Sequence, residues 1–461
     1  MGQKQHNNTD PNIETKKRRR VGFSAVDDGV EAKHCIKIFL VSNKEEFLAP
    51  ESSAIEPVDL NAFFGDDGKI YGYEGLKINV WVSSISFRAY ADITFESSSD
   101  NIFAETLVES KEEFLQTFIA DKDFIRTTIS SGEVLQKKVF NGQINGSNAD
   151  ADSATSKVEV VRMVVGSMAT GHLYSRLIPL VLLLVDGSSP IDVTDPHWEL
   201  YLVIQNETDQ QGEIQCRLIG FAATYRFYHY PGGTRLRLSQ ILVLPSYQHK
   251  GYGRHILEVL NDVAISENVF DITIEEPLDH LQHIRTCVDI LRLLPCEPIQ
   301  QSVKAAVSLL KQGRLSKKTN RPRLMPPSSA IEYARKNLKI NKKQFLQCWE
   351  ILLYLGLNPV EKHMDNFLSI ICNRVKYDIL GKDSGTSGKQ LIEVPTEFSE
   401  EMSFVMFKSG VNEDNTTVQV DDSQPNQEEQ LQKLVQERVK EIQLIAEKVS
   451  LHREGSVVAV N

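Results

Sequence analysis

The run Gln248-His249-Lys250-Gly251-Tyr252-Gly253 is the stretch best suited to hold an anion. It follows a strand-like segment, RLRLSQILVLP, and precedes a helical pattern with Ile256, Leu257, Leu260 and Ala264 on one face. Two glycines in the turn before a helix let backbone N–H groups converge, and the helix dipole adds to their pull on a phosphate or pyrophosphate. A second candidate for chemistry is the acid pair Glu275-Glu276, which ends the strand-like FDITIEEP. Carboxylates there suit general-base work and suit equally a solvated strand end. Asp186, ahead of Gly187-Ser188-Ser189, is an acid of the same kind or a simple turn former.

Two common nucleotide sites do not fit the glycine loop. A Rossmann site needs GxGxxG directly after a strand of a parallel unit, but Ile256 stands where the third glycine belongs, and the preceding strands look antiparallel. A P-loop needs GxxxxGK followed by Ser or Thr, which is absent.

The elements that must position this loop are legible around it. WELYLVIQ, CRLIGFAATYRFYHY and RLRLSQILVLP read as successive strands, the last two joined by a tight reversal at Pro231-Gly232-Gly233. Upstream, CIKIFLV, KINVWVS and FRAYADITFE are strand-like, and the stretches at Phe114–Ile119 and Phe124–Ser130 look helical or mixed. The polar stretch at 141–157 reads as a loop or domain boundary. Beyond Pro298 the pattern is helical. A last amphipathic segment carries Leu431, Val435, Val439, Ile442, Ala446 and Val449 on one stripe, expected to pack on the helical domain.

The expected division is a basic tail at 1–34, an α/β domain at 35–157 and a core at 158–298. A helical domain at 299–381 and an acidic linker with a terminal helix at 382–461 follow. The basic run Lys16, Lys17, Arg18, Arg19, Arg20 reads as a nuclear import signal or as a solvated charge cluster.

A net charge of −11 disfavours a general nucleic-acid binder and suits a basic peptide partner, although many soluble proteins are as acidic. The longest apolar run, Leu177–Val185, is about half the length a membrane helix needs and reads as buried core. No signal peptide opens the chain. The cysteines Cys35, Cys216, Cys287, Cys296, Cys348 and Cys372 form no CxxC pair, and they read as reduced thiols of a nuclear or cytosolic protein. No metal is expected.

In this strand–loop–helix–strand order, Gln248, Gly251 and Gly253 match the signature of the GNAT superfamily of N-acetyltransferases, which this chain resembles. The resemblance implies an α/β fold with a mixed, largely antiparallel sheet, flanked by an N-terminal α/β domain and a C-terminal helical domain. It implies acetyl-CoA as cosubstrate, its pyrophosphate held by the amides of Gln248, His249, Lys250, Gly251, Tyr252 and Gly253. The strand at Ile241, Leu242 and Val243 would pair with the pantetheine arm and orient the acetyl group.

Thr234–Gly253, DITIEEP, Arg285 and GDDGKIYGYEGLKI further resemble the type B histone acetyltransferases, over roughly residues 35–300 and more weakly through INKKQF and WEILL. That resemblance implies Glu275 as general base and Glu276 as the adjacent acid, often Asp in relatives. Asp186 stands where the family carries Glu, near its lysine channel. Asp66 and Asp67, with Gly68 replacing an acid, match the family's acidic turn; Tyr225, Arg226 and Phe227 match its histone-binding strand. An ordinary β-turn and ordinary sheet packing fit the same residues. The implied substrate is the tail of free histone 4, acetylated by direct attack in a ternary complex, because no cysteine falls within the motif segments. A WD-repeat histone chaperone as partner and residence in nucleus and cytoplasm complete what the resemblance implies; no direct nucleic-acid or membrane partner is expected. Two other readings stand beside it: an N-acetyltransferase for another protein or amine, and a histone-binding chaperone module without catalysis.

Overall fold

Alternating apolar residues build a three-stranded and a six-stranded sheet in the first 280 residues, beside two short ribbons, and helical spacing takes over after them. The computed structural model describes residues 29–48, 54–58, 60–64, 67–98, 110–140, 156–208, 214–311, 324–357, 361–380 and 424–458. The basic run at 16–20, Asp66 and the linker at 382–423 lie outside these residues.

In the N-terminal part, β1 (Val30–Glu31) pairs with β3 (Lys69–Ile70), and β4 (Tyr73–Glu74) with β7 (Ser97–Ser98). Beside these ribbons the N-terminal part has a three-stranded sheet of β2 (Ile36–Val41), β5 (Lys77–Ser83) and β6 (Ala89–Thr94), with β2 parallel to β5. Three short helices, α1 (Ala32–Cys35), α2 (Lys44–Leu48) and α3 (Asn61–Phe64), connect them. Helix α4 (Lys111–Ala120) starts on a capping box: Ser110 Oγ accepts the Glu113 amide, and the Glu113 carboxylate accepts the Ser110 amide. Helix α5 (Phe124–Ile129) follows.

Among the described residues the main sheet has six strands. In chain order they are β8 (Glu133–Phe140), β9 (Ser156–Val164), β10 (Trp198–Thr208), β11 (Ile214–His229), β12 (Gly233–Val243) and β13 (Ile272–Ile274). Neighbours in the sheet follow the same order, all antiparallel except β12 and β13. That parallel pair requires a crossover, supplied by α7 (Tyr252–Ser266).

Helix α6 (Met168–Leu184) covers one face of the sheet, burying Leu173, Tyr174, Leu177, Leu180 and Val181 against Leu200, Leu202, Phe221 and Leu242. Helix α7 covers the other, burying Ile256, Val259, Leu260 and Val263 against Tyr201, Val203, Ala222, Leu236 and Leu238. Each such aliphatic side chain contributes about 1.5–3 kcal/mol relative to exposure. The apolar run at Leu177–Val185 is therefore core, as the last turns of α6, with Pro179 inside the helix.

A helical unit completes the chain: α8 (Asp279–Leu293), α9 (Glu297–Lys311), α10 (Ser328–Leu338), α11 (Lys342–Leu357), α12 (Glu361–Leu380) and α13 (Gln424–Val458). The stripe of α13 packs on its own chain, with Ile442, Ile445, Ala446 and Val449 buried against this bundle. Buried Glu350 is held there by Arg374 and Arg438.

Two expected boundaries fall inside these units. The polar stretch after Phe140 joins β8 to β9 within one sheet, so a division at 157/158 cuts an antiparallel pair. Ile290 and Leu293 of α8 belong to the helical core, so a division at 298/299 comes too late. All six cysteines are free thiols. Among the described residues no helix is long and apolar enough to cross a membrane.

Candidate active site

Strand β12 changes phase at Ser239. Thr224 of β11 faces Leu238 and Ala223 faces Gln240, which leaves Ser239 as an extra residue. Leu236 and Leu238 point to the α7 face, yet beyond the bulge Leu242 joins the α6 face, while Ile241 and Val243 turn to α7. A regular strand would have placed Leu242 with Leu238.

The backbone shifts phase with the side chains. Before the bulge, the Leu238 carbonyl accepts the Glu275 amide at 2.9 Å, on the β13 side. After it, the Leu244 amide reaches Ile219 of β11 at 2.9 Å. By alternation Ile241 and Val243 turn their backbone groups away from β11. The pairing of β13 stops at Leu238, so these groups lie along an open edge. The Gln248 side chain donates to the Val243 carbonyl there, at 3.0 Å.

The loop at the end of this edge is built for close backbone approach. Pro245–Tyr247 form a 3-10 turn, His249 has φ 61°, and Gly251 has φ 88°. The left-handed conformation at Gly251 costs a side-chain-bearing residue about 1–2 kcal/mol, which accounts for the glycine. No side chain caps α7, and its first backbone bond is His255 to Gly251, at 3.0 Å. The amides of Tyr252, Gly253 and Arg254 precede that bond and face outward along the helix axis, toward the end that attracts anions. Lys250 lies above Tyr247, 5.5 Å from the ring centre, and donates to the Ser246 carbonyl at 3.1 Å.

The acids are arranged around the bulge. Glu275 leaves β13 where the two strands part, on the face that carries Arg237, because Thr273 pairs with Arg237 in register. Its carboxylate is exposed and 3.5 Å from the Arg237 guanidinium. Glu276 has φ 36°, so the chain turns sharply at the strand end. Asp186 follows α6 in an exposed turn whose next residues are tied to β12: Gln240 Nε2 donates to Ser188 Oγ at 2.9 Å and to the Ser189 carbonyl at 2.7 Å. Gln240 Oε1 in turn accepts the Tyr174 hydroxyl at 2.9 Å. The Glu275 and Asp186 segments are thus fastened to Leu238 and Gln240, on either side of Ser239.

Tyr225 and Phe227 share the face of Glu275. Arg237 lies 5.8 Å from the Tyr225 ring centre and 5.7 Å from that of Phe227. Tyr225 also packs on Trp198 and hydrogen-bonds Asp195, which raises its pKa. Arg226, which the resemblance places in the histone-binding strand with Tyr225 and Phe227, faces away from them. Period-two alternation sends its side chain through the sheet, where it binds buried Glu199 at 2.7 Å and Glu267 at 2.6 Å. Arg162 and the Tyr201 hydroxyl complete the shell of Glu199. Arg226 is a clamp in the sheet, on the face opposite Tyr225 and Phe227.

Asp67 is exposed and accepts the Tyr71 hydroxyl, which lowers its pKa. Its ribbon packs through Val30 and Ile70 on a small core with Ala32, Cys35 and Ile36, which Leu183, near the end of α6, also joins. Among the described residues no group of His, Cys, Asp and Glu assembles as a metal site.

Three positioning residues escaped the reading of the sequence. Gly220 admits the close approach of β12, since a Cβ there would stand 2.6 Å from the Leu242 carbonyl oxygen. Gln240 did leave a signal, a polar residue within the apolar run LSQILVL. Tyr174 left none.

A mixed sheet with a forked parallel pair and a glycine loop at a helix start defines an N-acetyltransferase of the GNAT type. The acetyltransferase (GNAT) family model matches residues 187–283, and the histone acetyl transferase HAT1 N-terminus model matches residues 29–186. The chain is 55% identical to the histone acetyltransferase type B catalytic subunit of Arabidopsis thaliana, over 98% of each chain. It is 47% identical to that of Zea mays, over 95% of this chain and 94% of that one. A Dictyostelium discoideum relative with the same description is 28% identical over 65% of this chain and 59% of its own. The chain belongs to the family of type B histone acetyltransferase catalytic subunits.

Proposed function

We propose that this acetyl-CoA-dependent histone lysine acetyltransferase acts on the N-terminal tail of free histone 4, by direct attack in a ternary complex. The observation that carries the reading is the fork itself, where an open backbone edge, an amide-rich loop and Glu275 meet within one sheet.

Acetyl-CoA supplies the acetyl thioester. The edge at Ile241–Val243 offers outward backbone groups to an extended amide-bearing arm, and the loop from Gln248 to Gly253 offers amides to a pyrophosphate. A substrate lysine has a pKa of about 10.4 and arrives protonated. Glu275 accepts that proton, directly or through water; the amine nitrogen then bonds to the acetyl carbon as the carbon–sulfur bond breaks, and the second amine proton passes, directly or through water, to the departing thiolate. The exposed carboxylate of Glu275 returns its proton to solvent. Glu276 and Asp186 add negative charge on the approach of a cationic side chain. Tyr225 and Phe227 cover the aliphatic stems of a basic peptide, and Asp66 and Asp67 attract its charges. A WD-repeat histone chaperone as partner, and residence in nucleus and cytoplasm with the run at 16–20 as import signal, belong to the same reading.

The test is acetyl transfer to unmodified tail peptides of the four core histones, comparing wild type with Glu275→Gln. The expected result is preferential turnover of the histone 4 tail, reduced about 10²–10³-fold in a variant that still binds acetyl-CoA. Turnover that survives the substitution moves the base to Glu276 or Asp186. A folded wild type that binds acetyl-CoA and acetylates no tail rejects the substrate assignment.

A further inference from the structure

The strand that delivers Glu275 has three residues and, among the described residues, a single strand neighbour in the sheet, β12. So short a ladder holds weakly on one side alone. Its outer edge is completed by the helical unit. The Ile272 amide donates to the Lys339 carbonyl at 2.9 Å, and Ile272 and Ile340 form a parallel bridge. The Ile272 carbonyl accepts two donors, Asn341 Nδ2 at 2.9 Å and the Arg285 guanidinium at 3.0 Å. The segment leading into the strand rests on the same region: Lys339 Nζ donates to Asn268 Oδ1 at 2.6 Å, and the Arg335 guanidinium lies 4.0 Å over the Phe270 ring.

Asn341 joins these contacts to the helix behind them. It is buried, and its Oδ1 accepts the Gln344 amide at 2.9 Å, the bond that caps the first turn of α11. Ser, Thr, Asp and Asn all serve as caps, but only Asn pairs that acceptor with an amide donor on the same short side chain. The second bond, to Ile272, explains the choice.

We propose that Asn341 is a positioning residue for Glu275: one amide group caps α11 and fixes the outer edge of β13, so the helical unit sets where the carboxylate sits. This rests on Glu275 being the general base. The full-length variant Asn341→Ser keeps a capping oxygen and loses the reach to Ile272; Asn341→Asp keeps length and cap and replaces the donor with an acceptor. Steady-state kinetics with acetyl-CoA and histone tail peptide, run beside thermal unfolding, are expected to show kcat lowered about tenfold in both. Both are also expected to keep the KM for acetyl-CoA and move the acid limb of the kcat profile; Asn341→Ser should unfold near the wild-type temperature, and Asn341→Asp, which sets a buried carboxylate against a carbonyl, below it. In a Glu275→Gln background the same substitutions should cost nothing further.

Unchanged kcat in Asn341→Ser and Asn341→Asp overturns the proposal, as does a loss that persists in full on top of Glu275→Gln. A fall in kcat only in step with lost stability reduces Asn341 to a cap and overturns it too. Wild-type turnover in Glu275→Gln alone rejects the base assignment and this proposal with it; a large loss there beside unaffected Asn341 variants rejects this proposal alone.

Discussion

The Glu275 amide donates to the Leu238 carbonyl at 2.9 Å, and that bond closes the ladder between β13 and β12 one residue before the bulge at Ser239. The base candidate and the start of the open edge are therefore fixed by the same rung. Displacing β12 should disturb both, while changes on the opposite face of the sheet should register as stability.

Gly220 is the most direct handle on β12. A methyl group there would meet the Leu242 carbonyl at 2.6 Å and the Val243 Cα at 3.0 Å, backbone atoms that have little room to yield. Gly220→Ala is expected to destabilise by about 1–3 kcal/mol. It should also raise the KM for acetyl-CoA about tenfold, because the displaced residues form the open edge. Urea unfolding and steady-state kinetics check the two effects; an unaltered KM would separate β12 from cosubstrate binding.

Arg226 and Phe227 are adjacent in the chain and should behave differently. Arg226→Ala leaves the buried Glu199 carboxylate with one arginine fewer, at an expected cost of about 1–3 kcal/mol, with the KM for the tail peptide nearly unchanged. Phe227→Ala should raise that KM, since its ring lies on the Glu275 face beside Arg237. Thermal unfolding beside peptide titrations reads both, and a large rise in KM from a stable Arg226→Ala would return Arg226 to the substrate surface.

His255 makes stability depend on pH. Burial holds its imidazole neutral and lowers its pKa to about 4, from an ordinary value of about 6.5. Above the ordinary value both folded and unfolded chains carry it neutral, and its contribution is complete. As pH falls toward about 4 the unfolded chain takes up a proton that the folded one refuses, so stability declines by about 3 kcal/mol in all. His255→Leu should remove that part of the slope between pH 7 and pH 4.5. Equal slopes in urea unfolding at the two values would reject the assignment.

The strand–loop–helix order, the glycine loop at Gln248–Gly253 and the acids at the end of DITIEEP can be read from the residues alone. These are local matters: periodicity shows in a dozen residues, and the turn before α7 needs its glycine at Gly251 whatever surrounds it. Tertiary structure decided the rest. Whether Arg226 faces a peptide or a buried glutamate depends on strand phase, and a single extra residue such as Ser239 reverses phase without a mark in composition. The polar stretch after Phe140 could not reveal that β8 returns to pair with β9, because pairing belongs to two distant segments at once. The same holds for Asn341, whose side chain meets Ile272 across 69 residues of chain, a contact that spacing along the sequence leaves invisible.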